Sequence, residues 1–149
     1  ALLAPNVNSY RRISRFQVAP INVHWGYDNR TAGLRVPMSG PEDRRVENRL
    51  AGADANPYLV TAAVLAGILH GLDAKGDPGP AIKGNAYLQT EQRQLFWRDT
   101  INDFMASGFI KDTFGAEFQH VFGQQKLKEM RSFYTEVTTL EYDWYLRSV

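Results

Sequence analysis

The stretch Arg44-Arg45-Val46-Glu47-Asn48-Arg49-Leu50 decides the reading of this chain. In a strand, successive side chains point to opposite faces. Arg45, Glu47 and Arg49 therefore share one face, and Arg44, Val46, Asn48 and Leu50 share the other. The pattern Arg-x-Glu-x-Arg sets a carboxylate between two guanidiniums. Two readings fit it. One is a surface ladder of ion pairs, each contributing little. The other is a site in which the carboxylate holds Mg²⁺ or Mn²⁺ while the arginines neutralise phosphoryl oxygens.

Upstream, residues 37–41 form a turn around Gly40. Before it, Ala32, Leu34 and Val36 alternate with Thr31, Gly33 and Arg35, so Arg35 can join the face of Glu47. Residues 27–30 make a turn, and residues 21–26 alternate apolar with polar or small side chains. A short antiparallel sheet piece over about residues 20–50 follows. Downstream, Asn56-Pro57 is a helix N-cap followed by proline at the first helical position. That helix runs to about Leu72 and is apolar on nearly every side, which predicts a central buried helix. Residues 73–86 read as a Gly- and Pro-rich loop. Thr90 can cap the next helix, where Trp97, Ile101, Phe104 and Met105 recur at helical spacing and Gly108 stops it. From about Ala116 to Arg147 the pattern is helical again, with Gly123 as a break. The fold class expected is α+β.

At 149 residues the chain is close to one average domain, long enough to bury a real core. It has no cysteine, which excludes disulfides, thiol nucleophiles and cysteine metal sites. No run approaches the apolar length of a membrane span, and residues 1–5 carry no targeting pattern. A cytoplasmic location and no membrane partner are expected. The chain opens on Ala1 without an initiator Met, which suggests a piece of something longer. Charge is uneven. Residues 1–50 hold eight arginines, no lysine and four acids, net +4; residues 51–149 are net −3. Arginine without lysine suits carboxylate and phosphate oxygens, because the rigid guanidinium fork matches them. The arginines lie in short alternating strands and form no continuous basic stripe, so no nucleic acid is expected.

Four motifs in order carry a resemblance: Asn8-Ser9-Tyr10-Arg11-Arg12; Trp25-Gly26-x-x-Asn29-Arg30-x-x-x-x-Arg35-Val36-Pro37; Arg45-Val46-Glu47-x-Arg49; and Ala53-Asp54-Ala55-Asn56-Pro57-Tyr58-Leu59. Their order and spacing resemble the glutamine synthetase family, in the C-terminal part of its catalytic domain. The end of the chain, with Lys126, Glu129, Glu141 and Tyr145-Leu146, is similar too. The resemblance covers essentially residues 1–149. It implies ATP-dependent ligation of glutamate to an amine through a γ-glutamyl phosphate, with Mg²⁺ or Mn²⁺, in a ring-shaped homo-oligomer.

Matched motif by motif, Arg12 and Arg49 would hold glutamate and its acyl phosphate. Arg30 would stabilise the phosphoryl group in transfer. Arg35 and Arg45 would contact nucleotide phosphates, and Glu47 would ligate the metal. Family members carry further metal ligands, a histidine among them, upstream of the Asn-Ser-Tyr motif. His24, His70 and His120 match none of these and read as structural. Tyr87 reads as a plain loop tyrosine. Glutamine synthetase proper has an ammonium-contacting glutamate before the Ala-Pro that follows the Arg12 motif. Here Val18 precedes Ala19-Pro20. An apolar residue there can line a pocket for an alkylamine, which looks like the γ-glutamylpolyamine synthetase branch. The alternatives are glutamine synthetase itself and a non-catalytic structural relative. The chain by itself is expected to be inactive.

Overall fold

A computed structural model of the chain describes residues 1–13, 19–89 and 96–146. The chain divides into two compact units, residues 1–100 and 101–149.

The first unit opens with helix α1, Val7–Arg12. Asn6 caps it: its side chain accepts from the Asn8 amide, and Ser9 returns the bond to the Asn6 backbone. Three short strands follow, β1 Trp25–Tyr27, β2 Leu34–Val36 and β3 Glu47–Asn48, with a 3-10 turn at Pro41–Asp43. They make one sheet in the order β1-β2-β3. The α+β class is as read from the sequence, but the sheet is mixed, not wholly antiparallel. β2 and β3 run antiparallel, whereas β1 and β2 run parallel with Trp25 opposite Leu34 and Tyr27 opposite Val36.

Parallel neighbours ordinarily need a crossover of a dozen or more residues. Here the six residues 28–33 suffice, because the link turns twice and is held from inside. The buried Asn22 donates to the Thr31 carbonyl at 3.1 Å, and its Oδ1 accepts from the amides of His24 and Gly33. Asn29 Oδ1 accepts from the Thr31 amide and hydroxyl. Asp28, at φ 48°, makes the first bend. Gly33 is obligatory, since a Cβ there would overlap the Asn22 carbonyl oxygen.

Helix α2 spans Pro57–Asp73, as the Asn56-Pro57 signal predicts. Asn56 Oδ1 accepts from the amides of Tyr58 and Leu59. The helix ends where Lys75 turns left-handed (φ 47°) and Gly76 N–H reaches the Gly71 carbonyl at 3.0 Å. The expectation of a central buried helix is corrected: no residue of α2 is buried, and Leu65 and Leu69 are 55% and 61% exposed. Part of its surface faces the sheet. Even there a groove of about 440 Å³ remains, lined by Leu34, Val46, Ala63, Val64 and Ile68 among others.

The loop after α2 runs back along β1 as a strap. Trp25 Nε1–H donates to the Gly79 carbonyl at 3.0 Å, Ile82 N–H to the Trp25 carbonyl at 2.9 Å, and Asn29 Nδ2 to the Gly84 carbonyl at 2.9 Å. Short helix α3, Ala86–Gln89, closes it, with the Ala86 amide on Thr31 Oγ1. Gly26 allows the strap this close: a Cβ would stand 2.8 Å from the Ile82 carbonyl oxygen. Thr90, expected as a cap, lies outside the described residues.

Helix α4, Trp97–Ala106, precedes α5, Gly108–Phe114, α6, Ala116–Thr135, and α7, Thr139–Tyr145. Two glycine expectations are corrected. Gly108 does not end a helix but begins α5, because Ser107 caps it by accepting from the Ile110 amide. Gly123 does not break α6. It is buried against Met105, whose side chain fills the space a Cβ would need. The break falls at residues 136–138, where Thr138 and Glu141 form a capping box for α7. Within this second unit, buried Gln119 donates to the carbonyls of Phe104 and Ser107 at 2.8 Å each. Phe114, Phe118 and Phe122 stack along α5 and α6 at about 5.5 Å spacing.

Candidate active site

The antiparallel register of β2 and β3 sets Arg35 opposite Glu47. Arg35 Nη1 donates to Glu47 Oε2 at 2.9 Å, and Arg45 Nη2 donates to Glu47 Oε1 at 3.3 Å. The second oxygen pairing follows from the alternation of β3, which returns Arg45 to the face of Glu47. Arg45 is steadied by its own Nη1, which reaches the Asp43 carbonyl at 3.2 Å. On the far side, Arg35 Nη2 donates to Asp28 Oδ1. The result is a row of alternating charge, Asp28–Arg35–Glu47–Arg45, with Arg35 the most enclosed member at 15% side-chain exposure. Glu47 and then Asp28 hold the Arg35 guanidinium still more firmly protonated than usual. Arg35, and to a lesser degree Arg45, hold the Glu47 carboxyl below its ordinary range.

Arg12, at the end of α1, donates from Nη2 to the Leu50 carbonyl at 2.6 Å. This joins the first sequence motif to the residue that follows Arg49. Arg49 is half-buried, and its amide donates to the Gly33 carbonyl at 2.9 Å. A second latch runs from the buried Ser9 hydroxyl to Asp54, at 3.2 Å to Oδ2. Tyr10 donates its hydroxyl to the Ala4 carbonyl at 2.9 Å, and burial pushes its phenol up. The motifs around Arg12, Arg49 and Asp54 thus come together although about forty residues separate them.

Arg30 is exposed and stands beside a groove of about 420 Å³ formed by residues 27–30 and 81–84. Val18, the expected amine-pocket residue, lies outside the described residues. The Ala19-Pro20 pair after it is buried, and the Tyr87 hydroxyl donates to the Ala19 carbonyl at 3.0 Å. His24, His70 and His120 are exposed.

Glu47 is ionised and could ligate a divalent cation, but both its oxygens hold guanidiniums. Among the described residues no group of three His, Asp or Glu side chains could hold a metal ion. These residues alone do not compose a metal centre. What they do compose is a set of cations, among which Arg35 is anchored by two carboxylates and Arg12 by the Leu50 carbonyl.

The sequence assigns no role to Asp28, Asn22 or Asn29, although Asn29 stands in one of the four motifs. By sequence Asp28 is simply one residue of the turn over residues 27–30. Its signal was the spacing to Arg35, which becomes visible only if β1 and β2 are known to be parallel. The Asx pattern Asn29-x-Thr31 was a fair local clue.

Residues 1–145 match the family model described as "Glutamine synthetase, catalytic domain". The chain is 42% identical over 150 residues to gamma-glutamylputrescine synthetase PuuA of Escherichia coli (strain K12), covering 99% of the chain and 32% of that protein. It is 36% identical over 150 residues to a glutamate–isopropylamine ligase of Pseudomonas sp, covering 98% and 33%. A solved structure of apo GmaS without ligand superposes with a TM-score of 0.80 at 30% identity, over 99% of this chain and 34% of that one. The chain spans about a third of the length of these relatives.

Proposed function

The chain belongs to the glutamine synthetase family, and on that premise we propose that it is the C-terminal part of a catalytic domain that ligates glutamate to an alkylamine at the expense of ATP. Such a ligation proceeds by phosphorylation of the γ-carboxylate, followed by attack of the amine on the acyl phosphate. Family members of this kind depend on ATP and a divalent metal, and Mg²⁺ or Mn²⁺ is proposed here too. Small molecules (glutamate, amine and ATP) are the proposed partners, in a ring-shaped homo-oligomer located in the cytoplasm.

The observation that carries the reading is the placement of the motif arginines. Arg35 and Arg45 flank one carboxylate across β2 and β3, and Arg12 is tied to the backbone beside Arg49. In phosphoryl and acyl transfer, negative charge moves between oxygens. Preoriented cations that need not reorganise lower that barrier. In this reading Arg35 and Arg45 hold nucleotide phosphates, Arg12 and Arg49 hold glutamate and its acyl phosphate, and exposed Arg30 meets the phosphoryl group in transfer. Glu47 contributes one carboxylate toward a metal whose other ligands lie outside these residues.

Val18 supports the choice of amine. A carboxylate at that position would stabilise ammonium and take its proton; valine does neither. An alkylamine instead recovers about 0.8 kcal/mol per buried methylene. The relatives named for putrescine and isopropylamine favour the same side. The test is kcat/KM for putrescine, isopropylamine and ammonium in the full-length parent, before and after Val18→Glu. The expected result is preference for an alkylamine, shifting toward ammonium in the variant. Strong preference of the unaltered enzyme for ammonium would return the reading to glutamine synthetase proper.

A further inference from the structure

Asp28 has no part in the functional reading so far, yet it occupies an unusual place. Its backbone sits at φ 48°, a conformation that glycine or asparagine fills at least strain. Its amide donates to the Val36 carbonyl at 2.9 Å, extending the β1–β2 pairing by one residue. That bond places the carboxylate over Arg35, the side chain one position before Val36.

Consider what holds the Arg35 guanidinium. A single carboxylate on Nη1 would leave the planar group free to swing about that contact. Carboxylates on Nη1 and Nη2, supplied by two different elements, fix the plane itself. Glu47 comes from β3 and Asp28 from the end of β1. Among the described residues, three of the five guanidinium hydrogens remain uncommitted. One is on Nε, which is buried and has no hydrogen-bond partner among the described residues. The clamp therefore fixes the direction of the remaining donors.

We infer that Asp28 is a positioning residue: together with Glu47 it clamps Arg35 in the orientation in which that guanidinium receives a nucleotide phosphate. This rests on the role proposed above for Arg35. The clamp matters most when Glu47 is drawn toward another partner, because Asp28 then remains as the one carboxylate holding Arg35.

The sign of the effect separates this from a plain surface ion pair. Asp28 is a negative charge near a site for anions. If it acted only through its field, its removal would strengthen nucleotide binding. If it orients Arg35, its removal weakens binding in spite of that gain. Two variants keep the fold out of the answer. Asp28→Gly suits the positive φ and deletes the side chain; Asp28→Asn keeps the shape and deletes the charge.

The experiment uses the full-length parent. ADP affinity is measured by calorimetry, KM by steady-state kinetics for ATP and for glutamate, and the melting midpoint as a control. The expected result for Asp28→Gly is a roughly 3- to 10-fold loss of ADP affinity with a matching rise in KM for ATP. KM for glutamate and the melting midpoint should stay unchanged. Asp28→Asn should fall between. In an Arg35→Ala background, Asp28→Gly should cause no further loss of ADP affinity. ADP affinity that is unchanged or improved in Asp28→Gly, while Arg35→Ala weakens it, overturns the role of Asp28 alone. An equal loss with and without Arg35 does the same. Undiminished ADP affinity in Arg35→Ala overturns the nucleotide role of Arg35 and the clamp with it.

Discussion

The charged row on the sheet and the helix α2 are neighbours in sequence, and they reach their structures by opposite routes. Every member of the row Asp28–Arg35–Glu47–Arg45 finds its partner inside the chain. Helix α2 has faultless local signals, with Asn56 at the cap, Pro57 at the first position and a left-handed Lys75 at the exit. Yet Leu65, Leu69 and Leu72 are exposed. Forming a helix takes only backbone hydrogen bonds and a cap, all supplied locally. Burying one requires apolar partners from elsewhere. The polar region is self-sufficient, whereas the apolar region is formed but, among the described residues, has no residue buried.

The most severe test of this contrast is catalysis. The row is complete in charge but is one part of a site, so the isolated 149 residues, given ATP, Mg²⁺, glutamate and putrescine, should release no phosphate or product above background. Turnover would mean that the catalytic centre lies elsewhere in the chain. Next in size is association. The isolated chain should self-associate through α2, and replacing Leu65 and Leu69, one turn apart on the same face, by Glu should return it to a monomer in sedimentation velocity. Each leucine contributes roughly 1.5–3 kcal/mol when fully buried. A wild-type monomer would show that the open face is tolerated.

Glycine substitutions set the two regions directly against each other. Gly33→Ala, in the packed link, forces a Cβ onto the Asn22 carbonyl oxygen and should cost about 1–3 kcal/mol. Gly67→Ala, on α2, meets nothing within 4 Å and should instead stabilise the isolated chain by up to about 1 kcal/mol. Thermal melts of the two variants read the difference. A destabilised Gly67→Ala would show that α2 is covered after all. The smallest effect belongs to Glu47. Its carboxyl is held below the ordinary value of 4.5, so its contribution is full above that pH and is lost as pH falls through the lowered folded value. The melting difference between the wild type and Glu47→Gln should be constant from neutrality down to about pH 5 and shrink in stronger acid. A difference that persists fully at acid pH would mean that packing is what Glu47 contributes.

How much of this was legible in the sequence follows the same division. Features governed by neighbours in the chain could be read: α2 and its cap, and the shared face of Arg45 and Glu47 on β3. The meeting of Arg35 with Glu47 was legible as well, since alternation put both on one sheet face. Features governed by distant partners could not. The parallel pairing of β1 and β2 depends on a buried Asn22 whose polar contacts carry no periodicity. Gly108 and Gly123 read as stops by propensity, but a serine cap and a methionine side chain decided their roles. The burial expected of α2 failed for a similar reason: an apolar surface specifies that it wants cover without specifying where the cover is. The roles assigned to Arg12, Arg30 and Arg49 came from motif resemblance; no local physical pattern would have given them.

The strap along β1 has a consequence for the order of events in folding. Its bonds from Trp25 and Asn29 to Gly79, Ile82 and Gly84 join residues 53 to 55 apart in the chain. Closing so long a loop is slow compared with forming a helix, which takes about a microsecond or less. Helix α2 lies inside that loop. Once formed, its 17 residues become a rod of about 25 Å that carries the strap back toward β1. The helix can therefore precede the strap, and the groove beside Arg30 exists only after the strap has closed. The same bonds, held at the edge of the sheet by a loop, are the ones that open first. Exchange of the Ile82 amide with solvent is thus a clock for the groove, running faster than the exchange of amides buried between β2 and β3.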